Sequence, residues 1–167
     1  MALSMSEVIT SELLTRRDWQ VGASTTALPP SGTISSASVN LQEESPDLIV
    51  TAPSDAPAWL APTADAIDRL LGLEENWDSY GAARISVGIA IAALDFAFTE
   101  FDGSMTPPVV VPTSSGGLQF EWHTAGIDLE MEFTSPTRVM GFFEDREPGE
   151  VWEEDLSFNR QPLIRAL

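Results

Sequence analysis

Between Gly116 and Phe133 the chain reads GGLQFEWHTAGIDLEMEF, two runs of alternating character around a turn. Leu118, Phe120 and Trp122 interleave with Gln119, Glu121 and His123. Beyond Thr124-Ala125-Gly126, Ile127, Leu129, Met131 and Phe133 interleave with Asp128, Glu130 and Glu132. A strand turns successive side chains to opposite sides, so this pattern predicts a hairpin with one oily face and one carboxylate face. The oily face defines a core. The other face is the clearest candidate for a working surface.

What covers the oily face is written upstream. Trp59 and Leu60 lead into Pro62-Thr63, and Thr63 is expected to cap a helix from Ala64 to Leu71. Ile67, Leu70 and Leu71 are its apolar positions, Asp65 lies four residues before Arg69, and Gly72 is expected to end it in the left-handed conformation. A second helix fits Val87 to Phe101 with Ser86 as its cap. Val87, Ile91, Leu94, Phe98 and Phe101 form a stripe, and Ile89 and Phe96 lie off it, so more than one side is covered. After Asp102-Gly103, Pro107-Pro108 open an extended piece, Val109–Val111, closed by Pro112; its prolines suit an edge strand. Pro136 separates the hairpin from a strand at Arg138–Phe143, Asp145–Gly149 turns, and Val151-Trp152 starts a last strand. Helix, helix, then antiparallel strands predicts an α+β fold, two helices packed on one face of a three- to five-stranded antiparallel β-meander.

The flanks read differently. Residues 1–20 are expected to form a short helix, since Ser4 and Glu7 have capping-box spacing and Met5, Val8, Ile9 and Leu13 recur at helical intervals. Residues 21–54 are rich in Ser, Thr, Ala and Pro and read as an arm or linker, with weak strand candidates at Val39–Leu41 and Leu48–Thr51. The compact domain spans 55–156, and 157–167 reads as a C-terminal tail.

Charge narrows the chemistry. In 167 residues there are 26 Asp plus Glu against 8 basic residues, a formal net charge of -18. Such a chain repels nucleic acid and anionic membrane, and attracts basic proteins. Every basic residue is Arg, which excludes Schiff-base lysines and a phosphate-loop lysine. The Arg-for-Lys bias fits a GC-rich genome, with adaptation to high salt the other reading. The absence of Cys excludes disulfides, thiolate metal sites and cysteine nucleophiles. No basic segment followed by an apolar core marks a signal peptide. The run Val87–Phe98 is too short to span a bilayer and contains Asp95. A cytoplasmic protein is expected.

The loop between the helices, Glu74-Glu75-Asn76-Trp77-Asp78-Ser79-Tyr80-Gly81-Ala82, sets two aromatics among polar residues. Asn76 and Asp78 can bond their own backbone, and Gly81 permits a positive φ. Either Trp77 and Tyr80 plug the helix–sheet seam, or Asn76, Trp77, Asp78 and Tyr80 form a recognition loop. NWDSYGA, a helix, a P-x-V-x-P-T strand, GGLQFEWH and GIDLEMEF together resemble a family of small bacterial and phage-associated proteins without an established activity, over roughly residues 60–135. The resemblance implies a shared fold and leaves the chemistry open.

His123 is the only histidine. With Glu121 and Asp128 alone it is a poor metal-ligand set, so no metal, no cofactor and no catalytic residue is expected. Carboxylates two apart on a strand, such as Glu130 and Glu132, stand roughly 6.6–6.8 Å apart, broadly the spacing of nucleic-acid phosphates. Glu144, Glu147, Glu150, Glu153, Glu154 and Asp155 downstream are expected to extend the anionic side. The leading expectation is therefore a non-enzymatic interaction protein that neutralises a basic protein partner, inhibitor-, immunity- or antitoxin-like or a DNA mimic. Its surface would comprise Asn76, Trp77, Asp78, Tyr80, Glu121, His123, Asp128, Glu130 and Glu132. The alternatives are a phage or particle component docked through its arm, and an enzyme centred on His123.

Overall fold

Main-chain pairing builds two antiparallel sheets in the computed structural model, which describes residues 20–24, 47–51 and 56–166. Strands β1 (Gln20–Ser24) and β2 (Asp47–Thr51) form a ribbon. Helices α1 (Leu60–Leu71) and α2 (Val87–Glu100) follow. Strands β3 (Val109–Pro112), β4 (Leu118–Thr124), β5 (Ile127–Ser135), β6 (Arg138–Asp145) and β7 (Glu150–Asp155) then form a five-stranded meander in chain order, and α3 (Gln161–Ala166) closes the described chain. The expected α+β architecture is thus present.

The alternation of the hairpin sets its register. Phe120 lies opposite Met131, Trp122 opposite Leu129 and Leu118 opposite Phe133, all on the core side. Ala125 and Gly126, at φ 31 and 97, make the two-residue primed turn whose twist suits a hairpin. Edge-on aromatic contacts weld sheet to helix: Phe133 meets Phe96 at 5.5 Å and Trp122 meets Phe101 at 5.2 Å. Leu94 of α2 and Ile67 of α1 are completely buried between them. Both helices also contact the ribbon, and Leu48 and Val50 of β2 pack against the same core. This explains why α2 is buried on more than one side.

Several local expectations are corrected. Helix α1 begins at Leu60, not Ala64: Trp59 is its N-cap, and Thr63 sits inside the first turn with its hydroxyl donating to the Trp59 carbonyl at 2.6 Å. Pro62 is tolerated because N–H groups of a first turn have no intrahelical acceptor. Gly72 ends α1 in the right-handed region, at φ -74. Ser86 is the N-cap of α2 as expected, but its side chain makes no capping bond; its carbonyl accepts from Ile89 and Ala90 at 3.0 Å.

Residues 157–167, read as a tail, contain α3 with Pro162 and Leu163 buried. Six residues are too few for helical periodicity to show in a sequence. At the other end, Val21–Ser24 lie within the stretch read as an arm and Gln20 at the end of the expected N-terminal helix, yet QVGAS pairs as a strand with DLIVT, since ladder hydrogen bonds come from the main chain and ignore a bland composition. The candidate strand Leu48–Thr51 falls in β2. The proposed helix at 1–20, apart from Gln20, and the candidate Val39–Leu41 lie outside the described residues.

Candidate functional site

The sheet face turned away from the helices is organised in three rows crossing the strands. Val109, Glu121, Glu130, Phe142 and Glu153 are successive partners in one; Val111, Gln119, Glu132, Met140 and Asp155 in the next; His123, Asp128, Glu144 and Val151 in the third. Carboxylates are concentrated on β4 and β5, apolar side chains on β3 and β6 lie to either side of them, and Glu153 and Asp155 return acid at the β7 edge. Val109 and Val151 are largely exposed, and Met140 and Phe142 are half-buried. The face is therefore mixed with apolar side chains, where a polar, carboxylate-rich face was expected.

Met140 and Phe142 escaped the sequence reading because β6 is apolar on both faces. Arg138, Met140, Phe142 and Glu144 alternate with Val139, Gly141 and Phe143, and only pairing says which set faces in. Gly141 faces in because Leu156 and Trp152 fill its place: a Cβ there would meet Leu156 Cδ1 at 2.5 Å. Two acids expected outside are displaced: Glu154 pairs with Gly141 and Glu150 with Asp145, so neither joins the anionic rows, and Glu147 lies in the turn before β7.

Like charges directly opposite each other, as at Glu121 and Glu130, are unfavourable. The strands supply local relief. Gln119 Nε2 donates to Glu130 Oε2 at 2.8 Å. His123 sits between two acids, with Nδ1 2.7 Å from Asp128 Oδ1 and Nε2 3.2 Å from Glu121 Oε2, and Arg146 reaches the other Asp128 oxygen at 2.8 Å. The hydrogen bond to Asp128, then that to Glu121, holds the imidazole pKa above its ordinary 6.5. Asp128 is held below 3.8, first by His123 and then, against partial desolvation, by Arg146. Among the described residues no arginine pairs with Glu130, Glu132, Glu144 or Glu153, and no group of three or more His, Cys, Asp or Glu is placed to hold a metal ion.

The interhelical loop is stitched by its own side chains. Asp78 Oδ1 accepts from the N–H groups of Tyr80 (2.7 Å) and Ala82 (3.0 Å), which holds that carboxyl below its usual range. Asn76 Oδ1 accepts from Gly81 N–H at 2.7 Å. Asn76 and Ser79, at φ 64, and Gly81, at φ 95, all take left-handed backbone. Trp77 is half-buried and donates to the Ala83 carbonyl at 3.2 Å. Tyr80 does not plug a seam: it is 94% exposed at the tip. Main-chain bonds from Ala83 to Ser114 and from Ser86 to Gly116, each 2.9 Å, fasten the loop to the β3–β4 turn. His123 lies six residues along β4 from Gly117, about 20 Å away at strand rise. The loop residues and the His123 cluster are therefore at opposite ends of the hairpin and form two separate features.

A third feature had no sequence signal. A cleft of about 390 Å3 opens between α2, the β5–β6 turn and the segment entering α3, and Asp95, Arg138, Phe158 and Arg160 are among the residues lining it. These residues are far apart in the chain, so only packing brings them together. Among the described residues no helix is long and apolar enough to cross a membrane. Comparison of the chain with protein families, curated proteins and solved structures returned no match.

Proposed function

We propose that this is a non-enzymatic interaction protein that binds and neutralises a basic protein through the open face of its five-stranded sheet, in the manner of an inhibitor, immunity protein or antitoxin. The observation that carries the reading is the three cross-sheet rows, in which carboxylates on β4, β5 and β7 are interleaved with Val109, Val111, Met140, Phe142 and Val151. Apolar pieces exclude water at an interface, while charges steer the encounter and select the partner. Among the described residues the acids at Glu130, Glu132, Glu144 and Glu153 have no arginine partner, so a partner's lysines and arginines answer an unmet charge. A net charge of -18 disfavours nucleic acid and anionic membrane as that partner. Tyr80, presented on a hydrogen-bonded loop, offers a second contact for a partner that reaches around the sheet end.

The enzyme alternative is weakened by His123 itself. Both ring nitrogens are engaged by carboxylates, so a base role requires one of those contacts to break first. The particle-docking alternative depends chiefly on residues outside the described ones.

The test is affinity capture by the full chain from its own cell extract at low and high salt, beside a triple Glu121→Gln, Glu130→Gln, Glu132→Gln variant. A basic protein retained at low salt, released as salt rises and lost in the variant fits the reading. Capture that ignores both salt and variant, or no partner at any salt, counts against it.

A further inference from the structure

Asp95 lies on α2 in the wall of the cleft and is half-buried there. Among the described residues no arginine or hydrogen-bond donor reaches its carboxylate; the Thr99 hydroxyl donates instead to the Asp95 main-chain carbonyl, at 2.8 Å. The two cleft arginines are already committed. Arg160 pairs with Glu100 and lies over the Phe96 ring at 4.8 Å, and Arg138 pairs with Asp155 at 3.6 Å. The charge left unanswered in the cleft is thus negative. Removing a carboxylate from water without a counterion is unfavourable, and desolvation pushes the Asp95 pKa above 3.8.

The surroundings of Asp95 are aromatic. Phe96 and Phe133 line the cleft, and Phe158 stands 95% exposed beside it. Phe96 and Phe133 are buried in its floor and Arg160 already lies over the Phe96 ring, so the ring open to a hydrocarbon stem is that of Phe158. The volume is at the low end of the range of about 300–1,000 Å3 typical of ligand sites, which suits one long side chain. We propose that the cleft receives an arginine or lysine side chain of the basic protein partner, its head paired with Asp95 and its stem against Phe158, above the floor that Phe96 and Phe133 form. The source of that side chain rests on the function proposed above; the chemistry is shared by any short alkyl guanidine or amine.

The experiment is an NMR titration of the full chain with Nα-acetyl-arginine methylamide and, separately, with n-butylammonium. Saturable shifts at Phe96, Thr99 and Phe133 are expected. They should weaken about tenfold or more in Asp95→Asn, which keeps the shape and removes the charge. Phe158→Ala, a change at an exposed ring that leaves the core intact, should weaken them as well, whereas the distant Glu147→Gln should not. Tighter binding of the arginine derivative supports a partner's side chain. Tighter binding of butylammonium supports it equally, with lysine as the side chain received. Shifts that do not saturate with either probe, or that persist unchanged in Asp95→Asn, overturn the site. Neither probe requires the partner, so the two readings fail separately. Loss of the cleft with salt-sensitive capture intact leaves the sheet reading standing, and the converse leaves the cleft.

Discussion

The paired His123 and Asp128 are displaced from their ordinary pKa values in opposite directions. His123 is raised, so the stability it contributes is complete below 6.5, its unfolded value, and is lost as pH rises through the higher folded value. Asp128 is lowered, so its contribution is present above 3.8 and is lost as pH falls through the lower folded value. NMR titration of the His123 ring should therefore give a midpoint above 6.5, and Asp128→Asn should return it towards 6.5. A native midpoint at or below 6.5 would contradict the arrangement of the cluster. Glycine supplies a second prediction. Gly116 has φ +84, and a Cβ there would lie 2.6 Å from the Arg84 carbonyl oxygen, a main-chain atom that cannot swing aside. At Gly141 the nearest atom is the end of a leucine side chain. Chemical denaturation should show Gly141→Ala costing about 1–3 kcal/mol, typical of overpacking, and Gly116→Ala costing more. That Gly116-Gly117 form a turn was legible in the sequence. Why no other residue fits was not, because the obstructing carbonyl belongs to the loop before α2.

The hairpin β4–β5 was the most legible element. Its period of two survives because one side is buried and the other solvated, so alternation in sequence and burial in space are one signal. Trp122 is buried, donates from Nε1 to the Thr106 carbonyl at 2.8 Å and meets Phe101 edge-on. Trp122→Ala should lower stability by about 3–5 kcal/mol in urea unfolding; a loss below 1 kcal/mol would remove it from the core. Strand β6 was legible as a strand and ambiguous as to face, because Met140 and Phe142 are as apolar as Val139 and Phe143. Helix α3 was missed. Its single fully buried anchor, Leu163, tests whether it belongs to the fold: Leu163→Ala should cost about 2–5 kcal/mol. An unchanged unfolding midpoint would show α3 to be dispensable.

For the molecule as a whole, 26 acids against 8 arginines leave repulsion that the core must overcome. Salt screens that repulsion, so thermal unfolding should shift upward as salt is added. Each 1 kcal/mol gained corresponds to roughly 2–4 °C for a chain of this size. A falling midpoint would show that ion pairs such as Arg146–Asp128 outweigh the repulsion. The same salt should weaken partner capture. Salt is thus expected to stabilise the free protein and loosen its complex, a pair of opposite responses that solubility alone does not produce.

Alternation, charge and the missing Cys and Lys were enough to establish an oily and an anionic side to one hairpin and an α+β order of elements, and to raise the expectation of a basic partner. These follow from residue type and from intervals of two to four along the chain, where neighbours in sequence are neighbours in space. Folding added what depends on long separations: the apolar flanks of the anionic rows, the distance between the Tyr80 loop and His123, the ribbon of β1 with β2, and the cleft that sets Asp95 beside Phe133 and Phe158. Their partners lie tens of residues apart, and no short-range pattern in a single chain records which of many possible pairings wins.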